Sequence, residues 1–216
     1  MRTGAPPIVW AMAAVFVVLE TTLTLSDIGV LPRGLRWTVY RYVAFYDIYF
    51  EAWRSGQNVP LAFYWSFVSH AFFHGGMLHL AMNTGVFLAL GTHLCRAVGE
   101  RAMLALFLGA AVVGALFFGL VADTGLEFVP MVGASGGLFG FLGAMKRWEW
   151  RHVVAHALPR RRFWSTILAL TAVNVLLSVS LTGGGVAWEA HLGGFIGGWL
   201  AGGLLTPRRG FAIGPI

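Results

Sequence analysis

Six apolar runs divide this chain, and nearly all of its charge lies between them. The runs cover 8–25, 77–95, 102–121, 132–145, 163–181 and 190–205. A helix that crosses a ~30 Å hydrocarbon core needs about 20 predominantly apolar residues. The first, second, third and fifth runs approach that length, whereas the fourth and sixth are shorter and rich in glycine. Only 11% of the residues are charged and 57% are apolar. A soluble domain carries about 25% charged residues, so lipid must be the main solvent here. The expected fold is all-α: a single polytopic membrane domain over 1–216 with six transmembrane helices. The first run is close to span length and is preceded by one cation, Arg2. It reads as a retained helix rather than a cleaved leader.

The net charge is +6, and its placement points to membrane orientation rather than to nucleic acid. Arg2, Arg96, Arg101, Lys146, Arg147, Arg151, Arg160, Arg161, Arg162, Arg208 and Arg209 all fall on one side of a six-span topology. Arg33, Arg36, Arg41 and Arg54 fall on the other, within the long segment 26–76. Cytoplasmic loops carry the excess of lysine and arginine, so both termini are expected inside. The second, fourth and sixth helices then all begin at the outer face. Segment 26–76 is rich in aromatics, including Trp37, Tyr40, Tyr49, Trp53 and Trp65. Tryptophan and tyrosine favour the membrane interface, and an ordered structure in the outer leaflet is expected there.

The fourth run opens with Gly133-Ala134-Ser135-Gly136-Gly137. Its 14 residues make a helix of roughly 21 Å at ~1.5 Å per residue, shorter than the bilayer core. Backbone leading into it is expected to enter the membrane before becoming helical. Gly136, Gly137, Gly140 and Gly143 give this helix a small face, matched by Gly193, Gly194, Gly197 and Gly198 in the sixth. Such faces let two backbones approach closely. His191 stands near the start of the sixth helix, where an imidazole can take the proton of a neighbouring serine hydroxyl. No carboxylate is placed to orient that ring, so a Ser135–His191 dyad is expected. In the second helix His79 and Asn83 are four residues apart and share a face. With the Ser135 backbone N–H they form a candidate oxyanion hole. Cys95 is the lone cysteine, which leaves no disulfide or cysteine metal cluster within the chain.

These residues resemble the rhomboid family of intramembrane serine proteases. The resemblance rests on Gly133-Ala134-Ser135-Gly136, on Ala190-His191-Leu192-Gly193-Gly194 with Gly198, and on His74 through Asn83 entering the second helix. It implies a rhomboid-like bundle that cuts transmembrane segments of other proteins without metal or cofactor. Ser135 would be the nucleophile and His191 the base, with His79 and Asn83 in the oxyanion hole and Gly133, Phe139 and Gly194 in support. Phe139 occupies the place of an aromatic that stacks on the base. The fifth helix and the loop after it would gate lateral substrate entry. The family often has a Trp-Arg pair in the first long loop, where this chain reads Trp65-Ser66, so that loop is expected to be held differently. The implied location is an integral membrane site, the plasma membrane in a bacterium, opening to the non-cytoplasmic side.

Blander roles fit several other polar residues. His74 reads as loop-positioning and Asn174 as a bond within the bundle. His152 and His156 lie in a basic segment suited to anionic lipid. Among rival functions, a transporter would show an internal repeat, and none is visible. A zinc protease would need His-Glu-x-x-His, which is absent. An aspartyl protease would need two intramembrane aspartates, and the runs contain none. An inactive relative usually lacks the serine or the histidine, and both are present.

Overall fold

Pro7 sits in the first turn of helix α1 (Pro7–Asp27), where a missing N–H breaks no intrahelical bond. In the computed structural model the described residues are 4–125, 127–180 and 187–208. They form α-helices without a sheet; Phe45 and Met131 pair as an isolated antiparallel bridge. After α1 come α2 (Leu35–Val43), α3 (Asp47–Arg54), α4 (Ala62–Ser69) and α5 (Met77–Val98). Then follow α6 (Glu100–Val121), α7 (Ser135–Ala155), α8 (Arg161–Ser180) and α9 (Trp188–Leu204). By length and composition, α1, α5 and α6 can each cross a membrane unaided. Arg2, Leu181 and Arg209, used above to set spans and orientation, lie outside the described residues, as does the segment 181–186 before α9.

Close approach of α7 to α9 organises the bundle. A Cβ on Gly194 would strike the carbonyl oxygen of Gly136, and one on Gly198 would strike that of Gly140. Only hydrogen fits at these crossings, and the backbones pack directly. Helix α6 covers the same pair: a Cβ on Gly114 would lie 2.7 Å from the Ala190 carbonyl oxygen. On the other side, α1 inserts Phe16 edge-on against Phe87 of α5, and Phe87 meets Phe107 of α6 at 5.4 Å. Outward-facing positions remain apolar: Leu168, Leu200 and Leu204 are 69%, 67% and 88% exposed. Such a surface suits lipid and not water.

The fourth run is longer than the apolar stretch suggested. Instead of ending near Met145, α7 continues to Ala155, so this helix has 21 residues. Lys146 is fully buried and its Nζ pairs with Glu149 Oε2 at 2.6 Å. Each charge neutralises the other in an i,i+3 pair, which lets the helix run on through what reads as a polar boundary. The basic segment is therefore in part the C-terminal end of α7 rather than a separate surface helix. His152 and His156 close that end, with rings 4.2 Å apart.

Segment 26–76 is ordered into α2, α3 and α4 around an aromatic cluster of Phe45, Phe50, Phe63 and Phe67. Its polar ties to the bundle centre on Arg36 of α2. Arg36 on α2 reaches the buried Glu20 of α1 at 2.8 Å and Asp27 at 2.6 Å. Its Nη1 also donates to the His74 carbonyl at 2.9 Å, as does the Tyr40 hydroxyl at 2.6 Å. Burial raises the Tyr40 phenol above its ordinary range, so it remains a donor. Ser66 bonds only locally, to the Phe63 carbonyl at 2.7 Å.

This arrangement predicts an asymmetric response to mutation. Arg36→Met leaves Glu20 charged and buried, and should destabilise the protein by roughly 3–5 kcal/mol. Arg36→Met with Glu20→Leu removes both charges and should recover most of that loss. Thermal unfolding of both variants in detergent checks this; equal destabilisation would show that the ion pair is not the cause.

Candidate active site

The starts of α5, α7 and α9 converge, and each contributes a polar side chain. Ser135 is the first residue of α7, so its N–H belongs to the four that lack intrahelical partners. Gly133 precedes it with φ +138°, backbone that side chains rarely adopt. A Cβ there would also press on the His79 ring, 2.9 Å from Cε1 and 3.0 Å from Nε2. The Gly133 N–H donates to the His70 carbonyl at 3.0 Å, and Met131 exchanges backbone bonds with Phe45 at 2.9 and 3.1 Å. Segment 26–76 thereby clamps the extended backbone that delivers Ser135 to its position.

Ser135 Oγ lies 2.8 Å from His191 Nε2. The buried His191 ring is stacked on Phe139, one turn beyond Ser135, at 4.3 Å and an interplanar angle of 9°. Its other nitrogen, Nδ1, is 2.7 Å from Asn174 Oδ1 on α8. The two bonds agree on one tautomer. An amide oxygen only accepts, so Nδ1 carries the proton and Nε2 is the lone pair that faces the serine hydroxyl. His191 has a second polar partner, an amide rather than a carboxylate: Asn174, expected to bond within the bundle, bonds there to the imidazole itself. The signal was present as the one amide side chain inside the fifth apolar run. Nothing in the sequence says which way α8 is turned.

His79 follows similar logic. The Gly75 N–H donates to its Nδ1 at 3.3 Å, which leaves the Nε2 proton on the side of Gly133 and Ser135. Asn83 is 5% exposed, and its amide donates to the His79 carbonyl a turn earlier at 3.1 Å. An amide nitrogen has a second hydrogen for another acceptor. The ring of His74 is buried, edge-on to His79 at 5.2 Å, and stands outside the serine–histidine contact.

An apolar cavity of about 530 Å³ opens beside the pair, between α7, α8 and α9. Ile167, Leu170, Trp188 and Leu192 line it, and His191 and Asn174 supply polar atoms on its wall. Among the described residues no group of three or more His, Cys, Asp or Glu is placed to hold a metal ion.

A family model described as the rhomboid domain matches residues 62–208, a span that holds α4 to α9 and every site residue named above. The chain is 28% identical over 155 residues to the rhomboid protease GluP of Bacillus subtilis, covering 70% of this chain and 28% of that protein. It is 33% identical over 150 residues to RHOMBOID-like protein 5 of Arabidopsis thaliana, covering 68% and 46%. It is 31% identical over 145 residues to the mitochondrial Rhomboid protein 1 of Saccharomyces cerevisiae, covering 63% and 40%. The matched part is less than half the length of each of these relatives. With its several apolar helices and a matching model over most of its length, the chain belongs to the rhomboid family and is an integral, multi-pass helical membrane protein.

Proposed function

We propose that this protein is an intramembrane serine endopeptidase that hydrolyses peptide bonds in or near transmembrane segments of other membrane proteins. The observation that carries the reading is the 2.8 Å contact between Ser135 Oγ and His191 Nε2, at the wall of an apolar cavity. The hydroxyl proton passes to Nε2 as Oγ attacks the scissile carbonyl carbon. The resulting oxyanion takes hydrogen bonds from the Ser135 N–H, His79 Nε2–H and the Asn83 amide. His191 then gives its proton to the leaving amine, and an acyl-enzyme remains on Ser135. Water, deprotonated by His191, releases it. Gly133 and Gly194 support the site by allowing its turn and its close helix crossing, and Phe139 keeps the imidazole plane in place. The chemistry calls for no metal or cofactor.

In this reading 1–216 is one membrane domain, with α1 and α5 to α9 as six spans. Both termini lie on the cytoplasmic side and the site opens to the opposite face; in a bacterium this is the plasma membrane. Purified protein in detergent should cleave a model transmembrane substrate, and a fluorophosphonate should attach to Ser135, located by peptide mass spectrometry. Labelling elsewhere, or none, would defeat the assignment.

A further inference from the structure

His191 has a polar partner on each nitrogen, and one of them belongs to neither α7 nor α9. Asn174 lies on α8, and its Oδ1 stands 2.7 Å from Nδ1. We infer that Asn174 is a positioning residue for the base: it holds the Nδ1–H tautomer and points Nε2 at Ser135. The inference rests on the proteolytic reading above and adds a third residue to it.

Proton bookkeeping shows what the bond does. When Ser135 reacts, its proton moves to Nε2 and the ring becomes an imidazolium with a proton on each nitrogen. The Nδ1 proton stays where it is. The bond to Asn174 Oδ1 becomes charge-assisted at that moment and strengthens. Asn174 changes neither protonation nor charge, so its benefit is greatest after proton transfer and weaker before it. A neutral amide cannot match the charge that a carboxylate offers an imidazolium. It can still exclude the wrong tautomer, in which Nε2 would carry the proton and could not accept another.

Stacking on Phe139 does not replace this function. The stack, at 4.3 Å, fixes the plane of the ring but leaves both in-plane orientations open. A ring flipped in that plane would turn Nε2 away from Oγ. An acceptor at Nδ1 selects one of the two. Asn174 is only half-buried and lines the cavity with His191, so it is also placed to sense what occupies that space.

The test uses full-length protein in detergent and two readouts: turnover of a transmembrane substrate, and the rate of Ser135 labelling by a fluorophosphonate. In labelling, the Ser135 Oγ–P bond forms, fluoride leaves and the hydroxyl proton goes to His191. The probe is small, so a role confined to shaping the cavity for a helix would not alter its rate. Asn174→Ala should lower kcat and the labelling rate together, on the order of tenfold to a hundredfold, with KM little changed. Asn174→Asp retains an acceptor oxygen at the same place and should restore both rates to within several-fold of wild type. Thr166→Ala, elsewhere on α8, should behave as wild type in labelling and in thermal unfolding. Wild-type labelling by Asn174→Ala would overturn the inference and leave the proteolytic reading intact, as would equal loss in Asn174→Ala and Asn174→Asp with unchanged unfolding temperature. Failure of the wild-type protein to label or cleave would instead overturn the proteolytic reading, and this inference with it.

Discussion

Ser135→Ala should cut no transmembrane substrate above background, a loss of at least ~10³-fold, with an unfolding temperature unchanged from wild type. The substitution removes one oxygen from a partly exposed residue whose side-chain contact is to His191, so the packing of α7 is untouched. His191→Ala should lose as much activity, because a hydroxyl without its base is a poor nucleophile at neutral pH. The double variant should be no worse than either single one. Groups that act as a unit are grossly non-additive, since the first loss already disables the second. Initial rates of substrate cleavage across the four proteins check this. Independent, multiplying losses would mean that serine and histidine do not share one step, despite their 2.8 Å contact.

Gly198→Ala should unfold or misassemble the bundle although it adds a single methyl group. The added Cβ would meet the carbonyl oxygen of Gly140 and lie 2.5 Å from its Cα. Overpacking usually costs about 1–3 kcal/mol, because side chains can shift into other rotamers. Here the obstacle is the backbone of α7, which cannot move without displacing Ser135. The expected loss is therefore at the upper end of that range or beyond, with activity falling alongside. Gly109→Ala on α6 is the matched control, as a Cβ there meets nothing within 4 Å. It should be neutral or mildly stabilising, since alanine loses less entropy in a helix than glycine. Circular dichroism melts in detergent distinguish the two. A Gly198→Ala protein as stable as wild type would show that the α7–α9 crossing is not close-packed in solution.

Much of this architecture is written in local sequence, and its failures have specific causes. Apolar run length places α1, α5 and α6 to within a few residues, because each residue's preference for lipid over water is its own property. The glycine faces of the fourth and sixth runs, and the serine and histidine beside them, are likewise visible as patterns. Helix α7 outruns its apolar stretch because Lys146 and Glu149 cancel each other's charge inside the protein, which hydropathy counts as two breaks. Arg36 and Glu20 are 16 residues apart and meet only after the chain turns at the end of α1. Asn174 is 17 residues from His191, on a helix whose rotation no local pattern specifies.

The sequence by itself determined that this chain is helical and membrane-embedded, and which hydroxyl and imidazole stand at the starts of its fourth and sixth runs. Only the tertiary structure decided which polar atoms face one another: Oγ with Nε2, Nδ1 with an amide oxygen, a guanidinium with a buried carboxylate. The reason is physical. Partition into lipid acts on residues one at a time, whereas a hydrogen bond needs two groups within about 3 Å. That separation is set by the rotation and register of whole helices, which here follow from backbones packed through glycine.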